Sequence, residues 1–149
     1  MTSKELVLAA EDAEDLEIVS ARLQDAVAKV KDLVWLPKAR RFVCIFNRFK
    51  WEEAEEKRAG GNLRVKSRLH FDDVLSAKSQ NLRRDAPDAI LSLLTIRFRP
   101  NGADDPGGAV ELVFAGGPVI RLEVECIDAE LADVSGDWAA RARPDHESA

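Results

Sequence analysis

The sequence predicts an α+β domain, predominantly antiparallel β, with six to eight strands and one N-terminal amphipathic helix. Three observations carry this expectation. Several segments alternate apolar and polar residues with a period of two, and short turns rich in Gly, Pro and Asp separate them. Only one stretch keeps the apolar spacing of a helical face.

The elements follow in chain order. Residues 5–9 (ELVLA) form a short strand. Asp12 or Glu11 then opens a helix from about Ala13 to Ala26, with acids crowding its first turn, where the helix dipole favours them. Leu16, Val19, Leu23 and Val27 mark its buried face. From Val27 the period changes to that of a strand. Val30–Leu36 and Phe42–Trp51 flank Pro37-Lys38-Ala39-Arg40, with proline where a turn uses it, so the two read as a hairpin. Phe42, Cys44 and Phe46 share one face of the second strand, while Val43, Ile45, Phe49 and Trp51 share the other.

WEEAEEKRAGGN is a polar loop ending in Gly60-Gly61. Leu63 to Phe71 then alternates cleanly, with Leu63, Val65, Leu69 and Phe71 opposite Arg64, Lys66, Arg68 and His70. Val74–Leu82 is a less regular strand. Ile90–Arg99 places Leu94, Ile96 and Phe98 opposite Thr95, Arg97 and Arg99. NGADDPGG reads as a loop, and VELVF-AGGP-VIRLEVEC as the clearest hairpin of the chain. In IDAELADV, helical and strand spacings compete, and the strand is favoured. Residues 137–149 form a polar, mobile tail beyond a single domain over 1–136. A sheet this long curls or splits, giving a small barrel or two packed sheets. A barrel of the pleckstrin-homology type, closed at one end by the helix, is the preferred picture.

Composition narrows the function classes. Hydrophobic content of 46% with 33% charge describes a folded domain rather than a disordered chain. No apolar run approaches the roughly 20 residues of a membrane helix, so no membrane insertion is expected. The N-terminus turns acidic where a signal peptide would stay apolar, which points to the cytoplasm. Cys44 and Cys126 lie in apolar alternating segments and read as buried thiols. Neither belongs to a C-x-x-C pair, and only His70 and His146 could join them, so no metal and no cofactor is expected.

Charge is divided unevenly. Residues 38–84 carry a net +7, whereas the rest of the chain carries −12. The sharpest constellation is the row Arg64, Lys66, Arg68 and His70, spaced at about 7 Å along one strand face. Arg40, Arg41, Arg48 and Lys50 lie nearby in sequence and complete the candidate anion-binding set. Such a surface could follow a phosphate backbone, but a run of surface cations more often only solvates a sheet face. A basic middle between acidic flanks also suits a homodimer.

RRFVCIF (40–46) lacks the glycines of an RNA-recognition strand, so Phe42, Phe46 and Phe49 read as core. No G-x-S-x-G or phosphate-cradling loop occurs, and Gly107-Gly108 and Gly116-Gly117 read as turns between strands. His70 and Asp72 share a side, but without a nucleophile they make no catalytic site. No catalytic residues are assigned.

The pieces LQDAV, LP-x-x-RRF and NRF-x-WE, with the later LSLLTIRF and VELVFAGGPVIRLEVECIDAELADV, resemble the DUF2948 family over nearly the whole chain. The resemblance implies a bacterial cytoplasmic protein with no assigned activity, and carries over no functional residues. The leading expectation is a non-enzymatic protein-binding or adaptor domain. Anion or nucleic-acid binding through the basic strand face is the alternative, and a small enzyme of unknown class the second.

Overall fold

The computed structural model describes residues 5–49 and 64–134. Among the described residues, ten antiparallel strands and one α-helix follow the order β1 (Val7–Ala10), α1 (Ala13–Arg22), β2 (Val27–Lys29), β3 (Leu33–Leu36), β4 (Arg41–Phe49), β5 (Arg64–Phe71), β6 (Val74–Gln80), β7 (Ile90–Gly102), β8 (Asp105–Phe114), β9 (Val119–Val124) and β10 (Ala129–Asp133). They form one open sheet in the order β1-β10-β5-β4-β2-β7-β8-β9-β6, with β3 paired to β4. The expected loop of 51–62 and tail of 137–149, with Trp51 and the first residue of the Leu63–Phe71 strand, lie outside the described residues.

Asp12 is the N-cap of α1, its carboxylate accepting the Asp15 N–H at 2.8 Å, with Glu14 and Asp15 in the first turn. Leu16, Val19 and Leu23 are buried as the spacing predicts. The helix ends at Arg22 rather than Ala26 because the sheet captures the chain. Asp25 takes a left-handed φ of 65°, its N–H donates to the Leu93 carbonyl, and the Leu93 N–H donates back to Ala26. Asp12→Ala is expected to cost about 1 kcal/mol, measured by urea unfolding.

The strand count exceeds the expected six to eight for a local reason. Where one strand was expected at Val30–Leu36, a single 3-10 turn over Val30–Asp32 separates β2 from β3. β2 bridges β4 to β7, and β3 continues along β4. Pro37 begins a second 3-10 turn that closes the β3–β4 hairpin, with Arg40 in the left-handed region at φ 54°. Residues 129–133 are strand, pairing on one side with β1 and on the other with β5.

Two further expectations are corrected. A register shift between Leu93 and Thr95 turns Leu94 outward, at 49% exposure, while Leu93 takes the core position. NGADDPGG is not a loop throughout, since β7 reaches Gly102 and β8 begins at Asp105. Gly107 and Gly108 therefore lie within a strand, where a Cβ on Gly108 would strike the Arg99 carbonyl and the Phe98 ring.

The sheet bends so that its two halves share one core. Phe42, Phe46, Leu69 and Phe71 from one half meet Leu93, Leu112, Phe114 and Leu122 from the other, with Leu16 and Val19 of α1. At the corner between β5 and β6, Asp73 has φ 59° and the Val74 N–H donates to the Arg40 carbonyl at 3.0 Å. Among the described residues no helix is long and apolar enough to cross a membrane.

Candidate functional site

Strand β5 lies between β4 and β10, and its period of two sorts its side chains. Ser67, Leu69 and Phe71 are buried and Val65 is half-buried, while Arg64, Lys66 and Arg68 are exposed and His70 is half-buried on the other face. Pairing then fixes the neighbours. On β4, Phe49, Asn47, Ile45 and Val43 stand opposite Arg64, Lys66, Arg68 and His70 in turn. On β10, Ala132 and Glu130 stand opposite Arg68 and His70, and β1 adds Val7 and Ala9 beyond them. The basic row thus crosses the middle of a sheet face bordered by apolar side chains. Val7 at one margin is 60% exposed, and Val34 and Leu36 on β3 at the other are about 40% exposed.

Much of the charge on this face is compensated. Arg68 lies 3.7 Å from Glu130, and Arg41 donates to both Asp72 oxygens at 2.6 and 3.3 Å. Both pairs are solvent-exposed, so each adds little stability, but each neutralises a cation. His70 Nε2 is 3.5 Å from Asp72. Burial lowers the His70 pKa, the Arg41 and Arg68 charges add to this, and together they outweigh Asp72 and Glu130. These surroundings favour the neutral imidazole. Arg64 stacks over the Phe49 ring, 4.0 Å from its centroid, so Phe49 faces outward rather than into the core.

Two other members of the basic set stand apart from the row, and Lys50 lies outside the described residues. Arg40 sits at the turn and pairs with Glu125. Arg48 is a correction: it occupies the fourth inward position of β4, after Phe42, Cys44 and Phe46, and is fully buried. Its Nε donates to Ser67 Oγ at 3.1 Å and Asp133 Oδ1 at 3.0 Å, and its Nη2 donates to Asp133 Oδ2 at 2.9 Å. Ser67 Oγ and the Leu6 N–H also donate to Asp133, at 2.6 and 2.9 Å. Burial alone would raise the Asp133 pKa, but these hydrogen bonds and the Arg48 charge pull it below the usual carboxylate range. Arg48 therefore ties β4, β5 and β10 together from inside and is withdrawn from any surface site.

A second charged cluster lies on the other half of the sheet, and sequence spacing alone does not reveal it. Register aligns Arg97 of β7, Glu111 of β8 and Arg121 of β9 across the outer face of the other half. Arg97, Arg99 and Arg121 converge on Glu111 at 3.1, 2.9 and 2.9 Å. Burial opposes ionisation of Glu111, yet the surrounding arginines hold its pKa below the ordinary value. The signal was present as Arg-x-Arg facing Glu across a hairpin, once the hairpin register is known.

Groups for covalent chemistry are poorly placed. Cys44 is buried, which pushes its thiol far up. Cys126 is half-buried, 3.6 Å from Asp73, and burial followed by that carboxylate also raises it. Both stay protonated, and a neutral thiol is a weak nucleophile. The described surface includes a cavity of about 420 Å³ between α1 and β7 and one of about 330 Å³ between β3 and β6. His70 lines neither. Among the described residues no group of three or more His, Cys, Asp or Glu is placed to hold a metal ion.

A family model described as "Protein of unknown function (DUF2948)" matches residues 6–146. No curated protein and no solved structure matches the chain.

Proposed function

Because the chain belongs to the DUF2948 family, whose function is unknown, it inherits no activity, and we propose a non-enzymatic protein-binding or adaptor domain. It meets its partner through the β1-β10-β5-β4-β3 face. The observation that carries this reading is the composition of that face: a partly neutralised row of Arg and Lys set among exposed Val7, Val34 and Leu36 and half-exposed Ile45 and Phe49. Arginine beside apolar and aromatic side chains is the mixture that protein interfaces favour. A phosphate-tracking surface would instead need a run of uncompensated cations. Here Arg41 and Arg68 have carboxylate partners, and Arg48 is inside.

The two half-sheets around one core support two packed sheets or a small barrel of the pleckstrin-homology type left open between β3 and β6, with the helix at one end. The acidic flanks and basic middle support a homodimer as one form of the complex, in the cytoplasm of a bacterium. Nucleic-acid binding remains the second reading on one observation, the exposed Lys66 beside an Arg64–Phe49 stack on which a base could lie.

The test is Lys66→Glu with Arg68→Glu, both exposed positions. The double variant is expected to keep its thermal midpoint within a few degrees and to lose at least tenfold in protein captured from nuclease-treated lysate. Unchanged capture would remove this face from the interface. Recovery of nucleic acid that modest salt releases would favour the second reading.

A further inference from the structure

We propose that the cavity between β3 and β6 binds a small amphipathic carboxylate, its apolar body inside and its carboxylate at the rim. Among the described residues, β3 pairs only with β4 and β6 only with β9, so the cavity lies where the curled sheet fails to close. Its floor is apolar, with Trp35 and Phe42 on one side and Ile120 on the other. Trp35 lies beside buried Phe42 but stays half-exposed, because no further strand among the described residues covers it. Burying such an aromatic surface under a ligand is favourable.

The rim supplies the charge. Lys31, Lys78 and Arg84 line the opening, and among the described residues no carboxylate lines it. Arg84 is steadied over β6 by a 3.0 Å hydrogen bond to Ser79, another lining residue. Asp88 reaches Lys31 at 3.1 Å from outside, but its side chain is 73% exposed, so solvent weakens its competition with a ligand. The 81–89 segment closes one end, held where Val30 and Lys31 donate to the Ala89 and Pro87 carbonyls at 3.0 Å. Three cations without a lining acid select an anion, and the apolar floor selects against a fully hydrophilic one.

The volume sets the scale of a suitable probe, since the cavity opens to solvent. At roughly the 30 Å³ a water-sized atom occupies in a liquid, a cavity of about 330 Å³ takes on the order of ten non-hydrogen atoms. Octanoate has that size. This site is separate from the β4–β5 face, so either proposal can fail without the other.

The experiment titrates the whole chain with sodium octanoate and, in parallel, with octylammonium chloride, followed by amide and indole NMR shifts. Octanoate is expected to shift the Trp35 indole and the Ile120 amide saturably, at least tenfold more tightly than octylammonium. Lys78→Glu with Arg84→Glu is expected to abolish that preference while leaving the spectrum folded. Equal affinity for the two amphiphiles, absence of a saturable shift, or shifts centred elsewhere would overturn the proposal. So would an unchanged preference in the double variant.

Discussion

Arg48→Ala is expected to lower stability by about 3–5 kcal/mol, read as a large fall in the urea midpoint. The reason is what remains behind. Asp133 would keep its buried position, with its side chain about 1% exposed, but would lose the guanidinium that compensates its charge. Replacing the network as a unit should behave differently. Arg48→Met, Ser67→Ala and Asp133→Leu together are expected to recover most of the loss, since matched apolar side chains avoid the desolvation penalty.

The pH dependence has a definite sign. In the native protein the Asp133 pKa lies below its unfolded value of about 3.9. Its stabilisation is therefore fully present above that value and is lost as pH falls through the folded one. In Arg48→Ala, unpaired burial raises the Asp133 pKa instead, so the variant should lose stability as pH rises above about 4. An unchanged midpoint, or the same acid limb in both proteins, would show that the pair does not hold β4, β5 and β10 together.

Gly108→Ala is expected to cost about 2–3 kcal/mol, at the upper end for overpacking a close contact. The new methyl group would collide with the Arg99 carbonyl and lie 2.9 Å from the Phe98 ring. A backbone carbonyl within the β7–β8 pair cannot move aside as a flexible side chain can. Gly102→Ala provides the comparison, because nothing lies within 4 Å of its added Cβ. The first variant should melt on the order of 10 °C lower and the second close to the parent. Equal midpoints would mean that β7 and β8 do not approach this closely.

These two positions also show where the sequence was readable. Alternation in β5 sorts its side chains onto the two faces seen in the structure, because period two survives wherever a strand runs unbroken. Arg48 obeyed the same period, following Phe42, Cys44 and Phe46, but its charge argued for the surface. Its partner Asp133 lies 85 residues away, so only tertiary pairing reveals that an inward arginine is satisfied. Leu94 was misplaced because a register shift leaves no mark in composition. Gly107 and Gly108 read as turn residues in the sequence, yet they serve close approach between strands, and sequence does not distinguish those uses. The basic row was legible, but its neutralisation was not, since Glu130 and Asp72 reach it through register and corner geometry. The cavity between β3 and β6 depends on where the sheet stops closing, which no local pattern encodes.

The most direct measurement places a photo-crosslinking residue at position 68 on the basic face and, in a second protein, at position 83 on the loop between β6 and β7. After irradiation in cells and nuclease treatment, position 68 should yield a discrete protein adduct, to a second copy or another protein, and position 83 none. Adducts only to nucleic acid, or equal adducts from both positions, would contradict a protein-binding face on β4 and β5.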